Sequence, residues 1–355
     1  ALTVFGLVMV LSASSANDTA AGLGPYDTII RQGTFAVIAV PLMFVVSRFP
    51  VSFFKRIAWP ALFMALVLQL LVFTPLGVES GGNRNWVRIA GQNLQPSEFL
   101  KLALCLWLGY VLFRKQSLLH TWKHVFIPTV PVSIIAILSV LAGSDLGTAM
   151  ILVLIVLAAL FFAGVKLRMF ILPVLLGVVA VAALAITSPD RMRRIMSFLD
   201  AGSLACYQQD CFQPLHGVWG LAGGGIFGLG LGNSKEKYDW LPAAANDYIF
   251  AIVGEELGLI GCIVVLALFA IFAIAAFRIV RKTNDPFVRI VSGAITVWIL
   301  GQALINIGVV LRVFPVLGVP LPFMSAGGTS LISVLLAVGV LLSFALTLLG
   351  PTFKL

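Results

Sequence analysis

The chain has 355 residues, of which 60% are hydrophobic and only 10% charged, and it carries a formal net charge of +9. A soluble domain averages about 25% charged residues, so this composition, with a mean hydropathy of +1.08, excludes a soluble protein and specifies an integral membrane protein. A positive balance would suggest nucleic acid in a soluble chain; here its distribution assigns it to membrane topology, and no nucleic-acid partner is expected.

Apolar runs of about 20 residues recur without the period-two alternation of barrel strands, which predicts transmembrane α-helices. Spans are expected near Ala1–Ala13, Ile29–Ser47, Ile57–Val78, Phe99–Phe113, Val125–Ala142, Leu146–Val165, Met169–Thr187, Tyr248–Phe277, Ile290–Leu311 and Leu331–Leu349. The expected fold is therefore a single all-α polytopic membrane domain with ten transmembrane helices. The apolar run Leu2 to Val10 opens without a basic segment before it, so no cleavable signal peptide is expected.

The connections sort by charge. Arg48, Lys55, Arg56, Arg114, Lys115, Lys123, Lys166, Arg168, Arg278, Arg281, Lys282, Arg289 and the tail residue Lys354 fall on one side, in short turns whose single acid is Asp285. The positive-inside rule makes that side cytoplasmic, with both termini, and turns the acid-rich connections outward. The outward loops are the long ones: Glu79–Glu98, Pro189–Asp247 between helices seven and eight, and Arg312–Ser330. Long loops carry function more often than short ones. In the longest, Arg191, Arg193 and Arg194 interleave with Met192, Ile195, Met196 and Leu199, the pattern of a surface helix or a plain amphipathic connector. The stretch HGVWGLAGGGIFGLGLG that follows is too apolar for free solution and too rich in glycine for a regular span. It is expected to be re-entrant or buried against the bundle.

Three carboxylates, Asp247, Glu255 and Glu256, stand at or inside the eighth span in LPAAANDYIFAIVGEELGLIG. An acid at the centre of a membrane helix costs about 2.5–3.5 kcal/mol, which makes each a functional candidate. Asp247 reads either as a first-turn acid stabilised by the helix dipole or as a general base at a rim of low dielectric. Asn246 already offers a cap. On a helix Glu255 lies about 80° round from Asp247 and Glu256 about 180°. Glu255 is expected to share the polar side with Asp247, and Glu256 to pair elsewhere in the bundle.

A second constellation is GGNRNWVRIAGQNLQPSEFLKLAL. Glu98 and Lys101, three residues apart, form either a structural ion pair or, through Lys101 with Arg84 and Arg88, part of an outward anion site. Trp86 fits an interfacial anchor, and Asp145 in GSDLGT fits a turn or N-cap. Gly223 to Gly232 lacks the lysine and hydroxyl of a phosphate loop. His120 and His124 have metal-compatible spacing but sit in a basic turn, where a solvated face is the simpler reading. Cys206 and Cys211 are candidates for a local disulfide, while Cys105 and Cys262 read as buried packing.

The combination NRNWVRI, QPSEFLKL, SDLGT, HGVWGLAGGGIFGLGLGNSKEKYDWLP, NDYIFAIVGEELGLIG and GVPLPFMSAGGTSL resembles the SEDS family (shape, elongation, division and sporulation), from the first span to the last. SASS, SKEKYDWLP and SAGGTS resemble its division branch, in an actinobacterial form, more than its elongation branch. The resemblance implies a ten-helix glycosyltransferase that polymerises lipid II outside the cytoplasmic membrane for septal wall synthesis. The implied partners are a class B penicillin-binding protein and other divisome proteins. By motif the catalytic aspartate falls on Asp247, QPSE-x-x-K on Gln95, Pro96, Ser97, Glu98 and Lys101, and D-L-G on Asp145 to Gly147. His216, Glu255 and Ser325, in other matched motifs, join Arg84, Trp86 and Arg88 as substrate-binding candidates. The family's Arg-Trp pair is interrupted by Asn85, so the arginine's role falls on Arg84 or Arg88. Ala326 stands where many relatives have tyrosine.

The implied chemistry is attack of a sugar hydroxyl on the anomeric carbon of a lipid-linked sugar, with undecaprenyl pyrophosphate leaving. It needs a base, Asp247, and cations at the pyrophosphate from Arg84, Arg88 or Lys101, with a divalent cation, Mg or Mn, as a candidate helper. Two other readings stay open: a lipid II flippase using Glu98, Lys101, Glu255 and Glu256 as polar steps, and a scaffold for division partners.

Overall fold

The computed structural model of the chain describes residues 1–80, 83–89, 91–171, 174, 175, 177, 192, 193, 196, 198, 204–207 and 211–348. Most of the expected span Met169–Thr187, most of the expected surface helix around Arg191–Leu199, and the tail at Lys354 lie outside the described residues. Among those described, the main helices are α1 (Leu2–Ala20), α2 (Asp27–Ser47), α3 (Val51–Leu70), α4 (Pro96–Arg114), α5 (Trp122–Phe126), α6 (Thr129–Leu141), α7 (Leu146–Phe162), α8 (Phe212–Gly224), α9 (Ile249–Lys282), α10 (Pro286–Val310) and α11 (Gly328–Leu348). Among the described residues, seven segments are long and apolar enough to cross a membrane: α2, α3 with the turn to Phe73, α4, α5 with α6, α9, α10 and α11. The apolar α7 is shorter.

One stretch expected as loop is a small antiparallel sheet of β1 (Gly77–Ser80), β2 (Asn83–Ile89) and β3 (Gln92–Leu94) in the order β1-β2-β3. It interrupts the predicted third span, which ends in helix before Gly77. The signal was present in NWVRI, where Trp86, Val87 and Ile89 are residues that favour extended backbone.

The chain divides into two compact units. The first comprises residues 1–36, 174–271 and 302–328; the second comprises 37–173, 272–301 and 329–355. In the second unit α4 is the enclosed element, with 78% of its apolar window buried against 28% for α3. Pro96 starts it at a position where no N–H is needed. Trp107 is fully buried edge-on to Trp59, and a Cβ at Gly109 would lie 2.2 Å from Val291 Cγ2, so this face admits nothing larger than glycine. Asp285, the single acid among the basic turns, pairs with Lys55 at 2.7 Å.

In the first unit α9 is broken at Gly258, whose φ of 65° and ψ of −164° leave the helical region. A break frees backbone N–H and C=O groups, each costly to leave unpaired in an apolar setting. The glycine-rich segment after α8 takes up four of them. Leu229 and Gly230 donate to the carbonyls of Glu255 and Glu256, each at 2.9 Å, and Leu259 and Ile260 donate to those of Gly225 and Ile226 at 2.9 and 3.3 Å. That segment is built against α9, in line with its composition.

Candidate active site

Asp247 sits in a run of turns two residues before α9 begins at Ile249, half-buried rather than on a regular helix. Three consecutive carbonyls at this point are held from outside the segment. Ala245 O accepts from Ala326 N at 2.8 Å, Asn246 O from Ser325 Oγ at 2.6 Å, and Asp247 O from Asn306 Nδ2 at 2.7 Å. Asn306 spends its second N–H on Val319 O at 2.7 Å, and Gln302 Nε2 donates to Pro320 O at 2.9 Å. From α2, Gln32 gives its amide N–H to Ser325 O and takes Gly327 N. The loop 318–327 and the turn bearing Asp247 are thus cross-linked by side chains together with one backbone bond, Ala326 N to Ala245 O. Gly318 (φ 66°) lies beside the carboxylate: a Cβ there would stand 3.7 Å from Asp247 Oδ2.

Of the residues doing this holding, sequence reading singled out Ser325 only as a substrate-binding candidate and missed Asn306, Gln302 and Gln32. The available signal was an amide pair at i, i+4 inside an otherwise apolar span, because such groups must find partners there.

Glu255 and Glu256, expected to serve different partners, grip one segment. Glu255 accepts from Ser234 Oγ at 2.5 Å, Lys235 N at 2.8 Å and Glu236 N at 3.4 Å. Glu256 accepts from Ser12 Oγ of α1 at 2.6 Å and from Lys237 Nζ at 3.3 Å. Lys237 is 3% exposed, and its ammonium also donates to Gly232 O at 2.6 Å. The same segment places Glu236 Oε2 2.6 Å from His216 Nδ1, with the imidazole enclosed by Phe212, Trp219, Trp240 and Tyr207. Cys206 and Cys211, flanking the stretch that carries Tyr207, form the disulfide for which they were candidates.

The second unit holds the other candidates in three groups. Along β2 the side chains alternate: Arg84, Trp86 and Arg88 share one face, and Asn85 and Val87 are buried on the other. Arg84 Nη2 donates to Thr74 O at 3.1 Å and Arg88 Nε to Asn93 Oδ1 at 3.2 Å, while both residues stay exposed. Asn85, the residue that interrupts the Arg-Trp pair, donates to Asp145 Oδ2 at 2.9 Å. The same oxygen accepts from Gln95 Nε2 at 3.1 Å and Thr148 Oγ1 at 2.8 Å, and Oδ1 caps α7 through Thr148 N at 2.9 Å. Asp145 therefore performs the N-cap role and joins β2, the entry to α4 and α7. Lys101 Nζ pairs with Glu98 Oε1 at 2.8 Å, Ser333 donates to Glu98 Oε2 at 2.9 Å, and the ammonium lies 5.1 Å from the Trp298 ring. Both ions are 1% exposed, so the geometry is that of the structural ion pair. Ser97 is fully buried, and its hydroxyl has no hydrogen-bond partner among the described residues.

Among the described residues no three His, Cys, Asp or Glu side chains gather as a metal cage.

A family model described as "Cell cycle protein", covering FtsW, RodA and SpoVE, matches residues 1–348. A probable peptidoglycan glycosyltransferase FtsW of Mycobacterium tuberculosis is 37% identical over 97% of this chain and 66% of its own length. A probable FtsW of Geobacter metallireducens is 36% identical, covering 99% and 93%. Stage V sporulation protein E of Bacillus subtilis is 34% identical, covering 96% and 93%. The chain thus spans 66% of the length of the mycobacterial relatives and nearly all of the others. Among solved structures, a chain of a peptidoglycan synthase complex that coordinates polymerization and crosslinking superposes with a TM-score of 0.73 at 24% identity, covering 96% of this chain and 97% of that one. The rod shape determining protein RodA of Thermus thermophilus superposes with 0.67 at 22% identity, covering 97% and 95%. These likenesses establish the polytopic fold.

Proposed function

The chain belongs to the FtsW, RodA and SpoVE family of cell cycle proteins, and on that premise we propose that it is a peptidoglycan glycosyltransferase that polymerises lipid II for septal wall synthesis. The observation that carries the catalytic reading is the clamped turn at Asp247. A general base works when it is held in reach of the proton it removes, and three consecutive bonded carbonyls hold the backbone that carries this carboxylate. In the proposed step a sugar hydroxyl of one chain gives its proton to Asp247 and its oxygen bonds to the anomeric carbon of the next. The bond from that carbon to the pyrophosphate oxygen breaks, and undecaprenyl pyrophosphate leaves with the electron pair.

The cations for the leaving pyrophosphate are assigned to Arg84 and Arg88, whose guanidinium groups share one exposed strand face, with Lys101 committed to Glu98. A divalent cation such as Mg or Mn has no three-ligand cage among the described residues and is given no part in these steps. We place the reaction on the outer face of the bacterial cytoplasmic membrane, with both termini inside, because the basic turns segregate from the acid-rich loops. A class B penicillin-binding protein and divisome proteins are the proposed partners, in keeping with the synthase complex whose chain superposes on this one.

One observation favours a lipid II flippase instead: α9 is a broken helix with two buried acids at the break, the construction transporters use at substrate sites. Here Glu255 is held by Ser234, Glu256 by Ser12 of α1, and four backbone groups at the break by the chain's own loop, so the break serves the fold. Polymerisation of purified lipid II, with and without the partner, tests the enzyme. Native protein should form polymer and Asp247→Asn should not. Equal polymerisation by both removes Asp247 as base, and no polymer from either, with translocation present, establishes the flippase.

A further inference from the structure

We propose that Asn306 is a positioning residue for the polymerisation step, acting through Asp247; the inference rests on the reading of Asp247 as the base. Asn306 is 1% exposed on α10, and a primary amide has two N–H groups. Both are spent on carbonyls of separate segments, Asp247 O and Val319 O, each at 2.7 Å. One side chain therefore sets the spacing between the turn that carries the carboxylate and the loop whose Gly318 lies beside Asp247 Oδ2. Ser325 repeats the device one residue earlier: its hydroxyl donates to Asn246 O at 2.6 Å while accepting Leu321 N at 2.7 Å. Between them the two side chains fix the carbonyls of 246 and 247 against the same loop.

This arrangement differs from ordinary helix glue. Glue would join one helix to another; these bonds end on the backbone of the residue that does the chemistry and of its neighbour. A misplacement of about 1 Å at a reacting group can lower turnover about 100-fold. The Asn306 Oδ1 atom is buried and has no hydrogen-bond partner among the described residues, so the amide is retained for its donors.

The test compares Asn306→Ala, Ser325→Ala and Asp247→Asn in lipid II polymerisation by the full chain with its partner, with rates expressed per folded molecule. Thr28→Val serves as control, since it removes a 2.7 Å side-chain bond to Asp18 within the same unit, away from the turn. Asn306→Ala is expected to lower kcat about 100-fold with KM for lipid II within twofold, Ser325→Ala to lower kcat by about tenfold, and the control to change thermal stability alone. Should Asn306→Ala not fold, Ser325→Ala and Asn306→Gln, which keeps both donors on a longer stem, carry the test through the same kcat and KM split. Native kcat per folded molecule in these variants, with Asp247→Asn inactive, overturns the positioning role. An active Asp247→Asn overturns the base reading instead.

Discussion

Leu259 N donates to Gly225 O at 2.9 Å, across the break that Gly258 makes in α9. The bond exists because the helix gives up its own partner for that N–H and a glycine segment comes close enough to replace it. Closeness is the requirement. A Cβ at Gly228 would lie 2.2 Å from Glu256 O, and one at Gly258 would lie 2.4 Å from both Gly228 N and Ile226 O.

Gly228→Ala is therefore expected to be among the most damaging small substitutions in the chain. Its φ of 80° alone disfavours a side chain by about 1–3 kcal/mol, and the clash is with backbone, which cannot rotate away. Gly223→Ala, at the first position of the run Gly223 to Gly232, meets nothing within 4 Å and should be neutral or slightly stabilising. Thermal unfolding of the two variants in detergent checks this, and similar midpoints would contradict the packing described.

The buried pair Glu98 and Lys101 gives a prediction with a sign change. Removing one partner leaves an uncompensated charge in an apolar setting, so Glu98→Gln or Lys101→Met alone is expected to destabilise by about 3–5 kcal/mol. The double substitution removes both charges and should recover most of that loss. A thermal-shift cycle over the four proteins measures the coupling; strict additivity of the two single effects would show that the ions do not depend on one another.

The helices were legible because membrane spans announce themselves by length and apolarity, and the pairs Glu98 with Lys101 and Cys206 with Cys211 because their partners are close in sequence. The bracket around Asp247 was not. Asn306 is 59 positions from Asp247 and Ser325 is 79 from Asn246, and an amide or hydroxyl that bonds to backbone imposes no residue type on its partner. Glu256 does pair elsewhere in the bundle, with Ser12 of α1, whereas the placement of Glu255 beside Asp247 was misread for a related reason. Angles round a regular helix say where a side chain leaves the axis, but the break at Gly258 brings in a loop that meets both faces. The sheet lies almost wholly in the stretch expected as the outward loop Glu79–Glu98, where only the short run NWVRI favoured a strand.

The clasp on that loop predicts a local effect. Lys235 N donates to Glu255 Oε1 at 2.8 Å, and Glu255→Ala leaves that amide without its acceptor. Exchange at residues 234–237 should rise about tenfold or more, since a charged hydrogen bond contributes about 1.5–3 kcal/mol, while exchange within α4 stays unchanged. Uniform exchange across the chain would mean that the acid stabilises the whole fold rather than this segment.

Along β2 the phenotype itself should alternate. Arg84, Trp86 and Arg88 occupy the exposed face, and losing a charge-assisted bond to a pyrophosphate costs about 1.5–3 kcal/mol, or about 10- to 100-fold in kcat/KM. Arg84→Ala and Arg88→Ala are expected to show losses of that size with normal thermal stability. Asn85→Ala points the other way: it removes one of the three side-chain donors on Asp145 Oδ2 and opens a buried site, so stability should fall by about 1–3 kcal/mol while the rate per folded molecule holds. Polymerisation kinetics and melting curves on the three variants separate the two faces. A rate loss confined to one arginine would identify which of them replaces the family's Arg-Trp pair, and a rate loss at Asn85 alone would move the anion site to the buried side of the strand.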